Sequence, residues 1–260
     1  VVNSFRYGKG ESLAYVESGD PRGHPLLVQH GLIASIKDGH IFKRLAGAGA
    51  RLICIARPGY GLSSPYLMKD IGEWGGIVKE LAGKLRLERF DVLGISSGAP
   101  YAYAIGCKCP GLASSLFILS GTPALYDDRV LATWPYPVDR NAGLAGLQRL
   151  ARELFFPHPS AADLARDEIR DSMRNDCFGI AQDLKLRCND WGFQLSDVKQ
   201  KVFMRHSRVD DAVPLAAAVI TAGLLPDCRL EIREADPHFS QAVLDDFIST
   251  VMAGNLSFQE

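Results

Sequence analysis

The sequence predicts an α/β protein, a mostly parallel, doubly wound sheet interrupted once by a helical insertion. Three observations carry this. Short apolar runs recur along the chain, each closed by Gly, Pro or a polar turn. Helix-length segments separate them, and such alternation implies parallel strands joined by crossover helices on both faces of a sheet. The alternation stops once, over residues 124–196, where no convincing strand occurs.

Taken in order, residues 12–18, followed by Gly19-Asp20-Pro21, read as an antiparallel edge strand ahead of the parallel series. Buried strands follow at 26–30, 51–56, 89–95, 115–119, 202–206 and 228–232. Helices are expected near 39–48, 71–86, 97–108 and 214–223. A last helix spaces Phe239, Val243, Phe247 and Val251 four apart, one apolar stripe against a core. Within the insertion, Leu144, Leu147, Ala151, Leu154 and Phe155 form a helical stripe. Ser160 with Asp163 resembles an N-cap opening a second helix through Met173. Cys177, Ala181, Leu184 and Cys188 suggest a third. The expected division is a core of 1–123 and 197–260 with a helical cap of 124–196.

Composition narrows the function. At 260 residues and 47% hydrophobic, the chain can bury a large core without disulfides or metals. A net charge of −1 lacks the Lys and Arg surplus of a general nucleic-acid binder. The longest apolar run, 215–225, is too short to cross a bilayer. No basic segment followed by an apolar one opens the chain, so no secretion signal is expected. Cysteines 54, 107, 109, 177, 188 and 228 form no C-x-x-C pair, and reduced structural thiols in a cytoplasmic protein are expected. Gly59-x-Gly61 is followed by Ser64 where a dinucleotide site needs a third Gly, and no phosphate-binding G-x-x-x-x-G-K-[ST] occurs. No cofactor and no metal are expected. The expected partner is a small-molecule substrate, without nucleic acid or membrane, and a homodimer is left open.

Gly94-Ile95-Ser96-Ser97-Gly98 fits G-x-S-x-G. It follows a strand and opens a helix, the setting that presents a nucleophilic serine on a strained turn. Side chains at 94 and 98 would clash where strand and helix pack closely. A serine hydroxyl needs a base to take its proton. Of six histidines, His24 and His158 read as surface, His40 as a helix face, His30 as shaping the loop after its strand, and His206 as a satisfied buried residue. His238 follows a strand at the C-terminal edge of the sheet, where ligands bind in open α/β folds. A carboxylate in 207–214 would orient it. Asp210 and Asp211 both qualify, and Asp127 or Asp128 is an alternative after the strand 115–119.

These residues resemble the α/β-hydrolase fold superfamily over nearly the whole chain. His30-Gly31-Leu32 is similar to the family's H-G segment. Arg57-Pro58-Gly59-Tyr60-Gly61-Leu62-Ser63 is similar to its R-G-x-G-x-S loop. Asp210 through Pro214 matches its D-x-x-V-P acid turn, and Pro237-His238-Phe239 its histidine. The chain departs at Ala56, where many relatives have Asp, at Ser207, usually Gly, and at Asp236-Pro237, usually small residues. The resemblance implies a triad of Ser96, Asp210 and His238, with the backbone N–H groups of Leu32 and Ser97 as oxyanion hole. It implies a serine hydrolase with a helical cap, carboxylesterase-like, cleaving a small ester or amide with an apolar group through an acyl-enzyme. Alternatives on the same triad are a proline-iminopeptidase-like exopeptidase, a C–C bond hydrolase and a cofactor-free perhydrolase. A non-catalytic ligand-binding member would show a broken triad. Tyr60, Trp134 and Phe155 are the candidate pocket residues, from a set that also includes Trp74, Tyr136, Phe156, Trp191 and Phe193. The insertion holds eleven acidic and nine basic residues, so a mainly apolar pocket is expected.

Overall fold

The computed structural model describes residues 1–254, with side chains through 250. Eight strands form one sheet: β1 (Val2–Tyr7), β2 (Glu11–Gly19), β3 (Pro25–Gln29), β4 (Arg51–Ile55), β5 (Phe90–Ile95), β6 (Ala113–Leu119), β7 (Lys201–Ser207) and β8 (Cys228–Arg233). Their spatial order is β1-β2-β4-β3-β5-β6-β7-β8. β2 runs antiparallel to β1 and β4, and the pairs from β4 to β8 are parallel. The apolar runs are continuous because both faces are buried. In β5, Val92 joins the core on one face while Leu93 and Ile95 join the core on the other.

The helices are α1 (Lys43–Gly47), α2 (Ile71–Lys84), α3 (Ala99–Lys108), α4 (Asp128–Leu131), α5 (Leu144–Phe155), α6 (Ala161–Ala165), α7 (Asp167–Ser172), α8 (Arg174–Leu186), α9 (Leu215–Gly223) and α10 (Gln241–Gly254). Trp74 and Ile77 of α2, Tyr101 and Ile105 of α3 and Ala217 of α9 cover one sheet face. Leu45 of α1 and Val243, Leu244 and Phe247 of α10 cover the other. α4 to α8 all lie between β6 and β7, and α5 packs against α8. No helix among the described residues is long and apolar enough to cross a membrane.

The structure corrects three expectations. Residues 12–18 are not the edge: β1 pairs outside β2. β1 escapes periodicity because its V-N-S-F-R-Y pattern is half-exposed and mixes polar with apolar residues. The helix from Ser160 to Met173 is two helices, parted where Arg166 adopts extended backbone, ψ 131°. The Ser160–Asp163 capping box does form. In the last helix, Val243 and Phe247 are buried, but Phe239 precedes α10 and is exposed. The side chain of Val251 lies outside the described residues.

The chain passes from β3 to β4 on one side, then to β5 on the other. This reversal opens a crevice beyond the C-terminal ends of β3 and β5, where open α/β sheets bind ligands. Residues 30–32 and 96–98 stand at its two sides.

Candidate active site

Ser96 sits in the turn between β5 and α3 with φ +50°, a left-handed conformation costly for a side-chain-bearing residue. Packing holds it there. A Cβ on Gly98 would stand 2.1 Å from the Gln29 carbonyl oxygen, and one on Gly94 would stand 2.9 Å from Ala102 Cβ. Both glycines are therefore needed for close approach. The Ser96 carbonyl accepts from the N–H of Thr122 at 3.0 Å and from that of Ala99. Pro100 is tolerated in the first turn of α3, where amides lack helical partners.

His238 Nε2 lies 2.9 Å from Ser96 Oγ, and its Nδ1 lies 2.8 Å from Asp210 Oδ2. Asp210 Oδ1 accepts from the amides of Ala212 and Val213 at 2.9 and 2.8 Å. Burial alone would raise the Asp210 carboxyl. The hydrogen bond and charge of His238, with the two amides, outweigh it and hold the group below its ordinary value. Asp211 is exposed. Asp127 caps α4 and pairs with Arg129. The structure thus brings Ser96, His238 and Asp210 into one hydrogen-bonded chain and leaves both alternative acids out of it. Behind Asp210, His206 is buried, with Nε2 2.9 Å from the Val213 carbonyl oxygen. Burial holds His206 below its ordinary pKa.

The loop after β3 is fixed from beneath. His30 Nε2 accepts from the Arg57 N–H at 3.3 Å, which leaves Nδ1 to donate to the Gly31 carbonyl at 2.8 Å. Burial and the Arg57 charge hold His30 well below the usual histidine range, in keeping with a neutral ring. Arg57 donates to the carbonyls of His30 (2.6 Å) and Gly31 (3.0 Å) and to both carboxylate oxygens of Asp183 on α8. Tyr60 Oη lies 2.9 Å from both the Leu32 carbonyl and Asp183 Oδ2. Tyr101 Oη donates to Asp183 Oδ1 at 2.6 Å. Burial alone would lower the Arg57 guanidinium, but the adjacent Asp183 carboxylate more than offsets it. Burial and the same carboxylate push the Tyr60 and Tyr101 phenols well above their ordinary range, so they stay donors.

This network explains the Arg57–Ser63 motif. Gly59 has φ +88°, and a Cβ there would meet Phe178 Cδ1 at 2.4 Å. Ser63 Oγ donates to the Ala56 carbonyl and accepts from the Ala14 amide, tying β4 to β2.

A cavity of about 1040 Å³ opens over Ser96 and His238, with Leu32 and Ser97 in its wall. Trp134, Tyr136 and Phe155 of the insertion line it, as does Phe239 from the loop before α10. Tyr60 does not. It is 1% exposed, and its ring is turned toward α8, where a Cβ on Gly179 would meet it at 2.4 Å. Its hydroxyl is committed to Asp183, so Tyr60 supports the loop from below instead of lining the pocket. Trp74, Trp191, Phe156 and Phe193 pack in the core. Sequence reasoning missed Asp183 and Arg187, the latter also lining the cavity. Asp183 adjoins the stripe residue Leu184, and Arg187 adjoins Cys188. A charge beside an apolar stripe is the only signal either offered.

The comparisons with known proteins agree with this architecture. An esterase, EaEST, from Exiguobacterium antarcticum superposes with a TM-score of 0.78 at 18% identity, covering 97% of this chain and 100% of that one. A structure from work on epoxide hydrolases of the α/β hydrolase superfamily, from metagenomes of hot environments, gives 0.72 at 17% identity over 99% and 98%. A bromoperoxidase from Bacillus anthracis gives 0.70 at 16% over 97% and 98%. Among curated proteins, the uncharacterized hydrolase YcgS of Bacillus subtilis is 28% identical over 111 residues, 43% of this chain. The match spans 38% of the length of YcgS. No family model matches. The chain has the α/β-hydrolase fold. Neighbours of this fold are named for several chemistries, so the fold does not fix the activity, which the site decides.

Proposed function

We propose that this protein is a serine hydrolase that cleaves a small ester, or amide, carrying an apolar group. The observation that carries the reading is His238 Nε2 at 2.9 Å from Ser96 Oγ, with Nδ1 held on Asp210. Ser96 Oγ attacks the carbonyl carbon as its proton passes to His238 Nε2. The backbone N–H groups of Ser97 and Leu32 receive the oxyanion. Ser97 suits this because amides at a helix N-terminus are free and oriented. The intermediate collapses, the C–O or C–N bond breaks, and the leaving group takes the proton from Nε2. Water then adds to the acyl-enzyme, giving its proton to Nε2, and Ser96 is released with the acid. Asp210 keeps Nδ1 protonated and stabilises the imidazolium. Residues 124–196 act as a cap whose aromatics shape an apolar pocket. Relatives named as esterases and as a hydrolase support the hydrolase class.

A fluorophosphonate probe should label the wild type and not Ser96→Ala. A panel of 4-nitrophenyl esters of rising chain length, with amino-acid amides alongside, should show turnover that Ser96→Ala lowers on the order of 10⁴–10⁶-fold. Ser97→Ala should lose far less, since only its amide is used. Full labelling of Ser96→Ala would refute the assignment.

A further inference from the structure

We propose that Arg187, with the indole N–H of Trp134, forms an anion subsite in the cavity, so that the substrate's apolar chain ends in a carboxylate. This rests on the hydrolase reading and names its substrate class.

Arg187 follows the last turn of α8 and lines the same cavity as Ser96 and His238. Among the described residues no carboxylate lies within ion-pair distance of it. Its guanidinium carbon stands 5.6 Å from the centroid of the Trp134 ring, and its side chain is also in hydrogen-bond reach of the Cys188 thiol. Its Nε–H and the Nε1–H of Trp134 are both buried without a hydrogen-bond acceptor. Two adjacent donors are thus left unmatched, an uncommon and costly arrangement in a folded protein. Elsewhere the chain neutralises its enclosed arginines: Arg57 pairs with Asp183, and Arg205 with Glu231 and Asp246. Of the other charges on the cavity wall, Arg166 pairs with Glu168, and burial with the nearby Glu168 carboxylate raises the Asp38 carboxyl above its ordinary value.

An uncompensated guanidinium in a largely apolar cavity is suited to a planar anion, because its N–H fork matches a carboxylate. The surrounding apolar wall weakens competition from water. The charged side chains of the wall, Asp38, Glu168, Arg166 and Arg187, balance in sum, so the anion preference is local to Arg187. A neutral ester would leave Arg187 unmatched. An ester with a carboxylate at the far end of its chain would match it while the carbonyl lies at Ser96.

The test compares 4-nitrophenyl monoesters of straight-chain dicarboxylic acids, glutarate to suberate, with methyl-terminated esters of equal chain length. The acidic ester should be favoured at least tenfold in kcat/KM at one or more lengths, and added salt should reduce that ratio. Arg187→Met should lower the acid-to-neutral ratio at least tenfold, and Arg187→Lys should restore part of it. A ratio favouring the neutral ester at every length, or one unmoved by Arg187→Met, overturns the proposal. Calorimetric binding of monomethyl adipate to Ser96→Ala, with and without Arg187→Met, reads the subsite without turnover. Binding lost with Arg187→Met upholds the subsite even if no ester is hydrolysed, an outcome that would sink the hydrolase reading alone. No binding to Ser96→Ala overturns the subsite.

Discussion

Arg57 and Asp183 meet in a fully enclosed ion pair, 2.6 Å from Nη2 to Oδ2, that joins the loop after β4 to a helix of the insertion. The side chains are 0% and 2% exposed. Because Arg57 also holds the His30 and Gly31 carbonyls, the pair couples the placement of α8 to that of the candidate oxyanion loop. Asp183→Ala strands a buried guanidinium and two phenols, and should cost about 3–5 kcal/mol in urea denaturation. Arg57→Met/Asp183→Leu should cost less than the two single changes added together, since both charges go. Simple additivity would mean the pair is not coupled.

Asp210 is expected to orient His238. Asp210→Asn keeps the shape but can present an N–H toward Nδ1 in place of an acceptor. It should lower kcat on the order of 10⁴-fold. Asp211→Asn and Asp127→Asn should stay within a few-fold of wild type. Near-full activity in Asp210→Asn would move the role elsewhere.

Gly98 and Gly83 give opposite outcomes for one substitution. Gly98→Ala places a methyl 2.1 Å from backbone oxygen that cannot yield, and should destabilise by about 3 kcal/mol or more. Gly83 is exposed near the end of α2, with nothing within 4 Å of a new Cβ. Gly83→Ala should stabilise by up to about 1 kcal/mol through helix propensity. Thermal melts of the two variants check this directly.

Cavity size should follow the insertion's aromatics. Phe155→Ala enlarges the wall over Ser96. The preferred ester should lengthen, each further buried methylene adding about 0.8 kcal/mol until the space is filled. Fluorophosphonate labelling of Ser96 should persist. An unchanged chain-length profile would mean that Phe155 does not bound the acyl site.

Stability should fall in mild acid. His30 and His206 are both held below the ordinary histidine value of 6.5, chiefly by burial. The unfolded chain therefore binds more protons once the pH drops below that value. Stability is full above about pH 6.5 and declines as pH falls toward the folded-state values, by at most about 1.4 kcal/mol per pH unit for each histidine. For Asp210, burial acts to raise the carboxyl, but the hydrogen bond and charge of His238 with the two amides hold it below its ordinary value too. Its share is present above 3.8 and is lost only as pH falls through its lower folded value. Urea titrations from about pH 8 to 5 should show the histidine decline, and His206→Gln should make it shallower. An identical slope in that variant would exclude His206 as a contributor.

Much of this molecule is written locally in its chain. β3 to β7 appear as apolar runs because they are buried on both faces, a condition that reads residue by residue, whereas β8, at the sheet edge, is only half-buried. The Ser96 turn is equally local: Gly94 and Gly98 are needed by the crossing of one strand with the helix that follows it. The acid turn also has a local signature, since Asp210 accepts from amides only two and three residues away. The D-x-x-V-P match favours Asp210 over its neighbour by one residue only; the fold supplies the physical difference, holding the Asp210 carboxylate on His238 and leaving Asp211 in water. The fold alone also decided Tyr60, whose ring could face the cavity or α8 with no change in its sequence neighbourhood. Arg57 and Asp183 lie 126 residues apart, and Arg187 reaches the cavity by how α8 is laid across the sheet. Periodicity and turn chemistry act over a few residues. The side of a helix that meets another element is set by how all the elements pack, because burial is a property of the assembled surfaces.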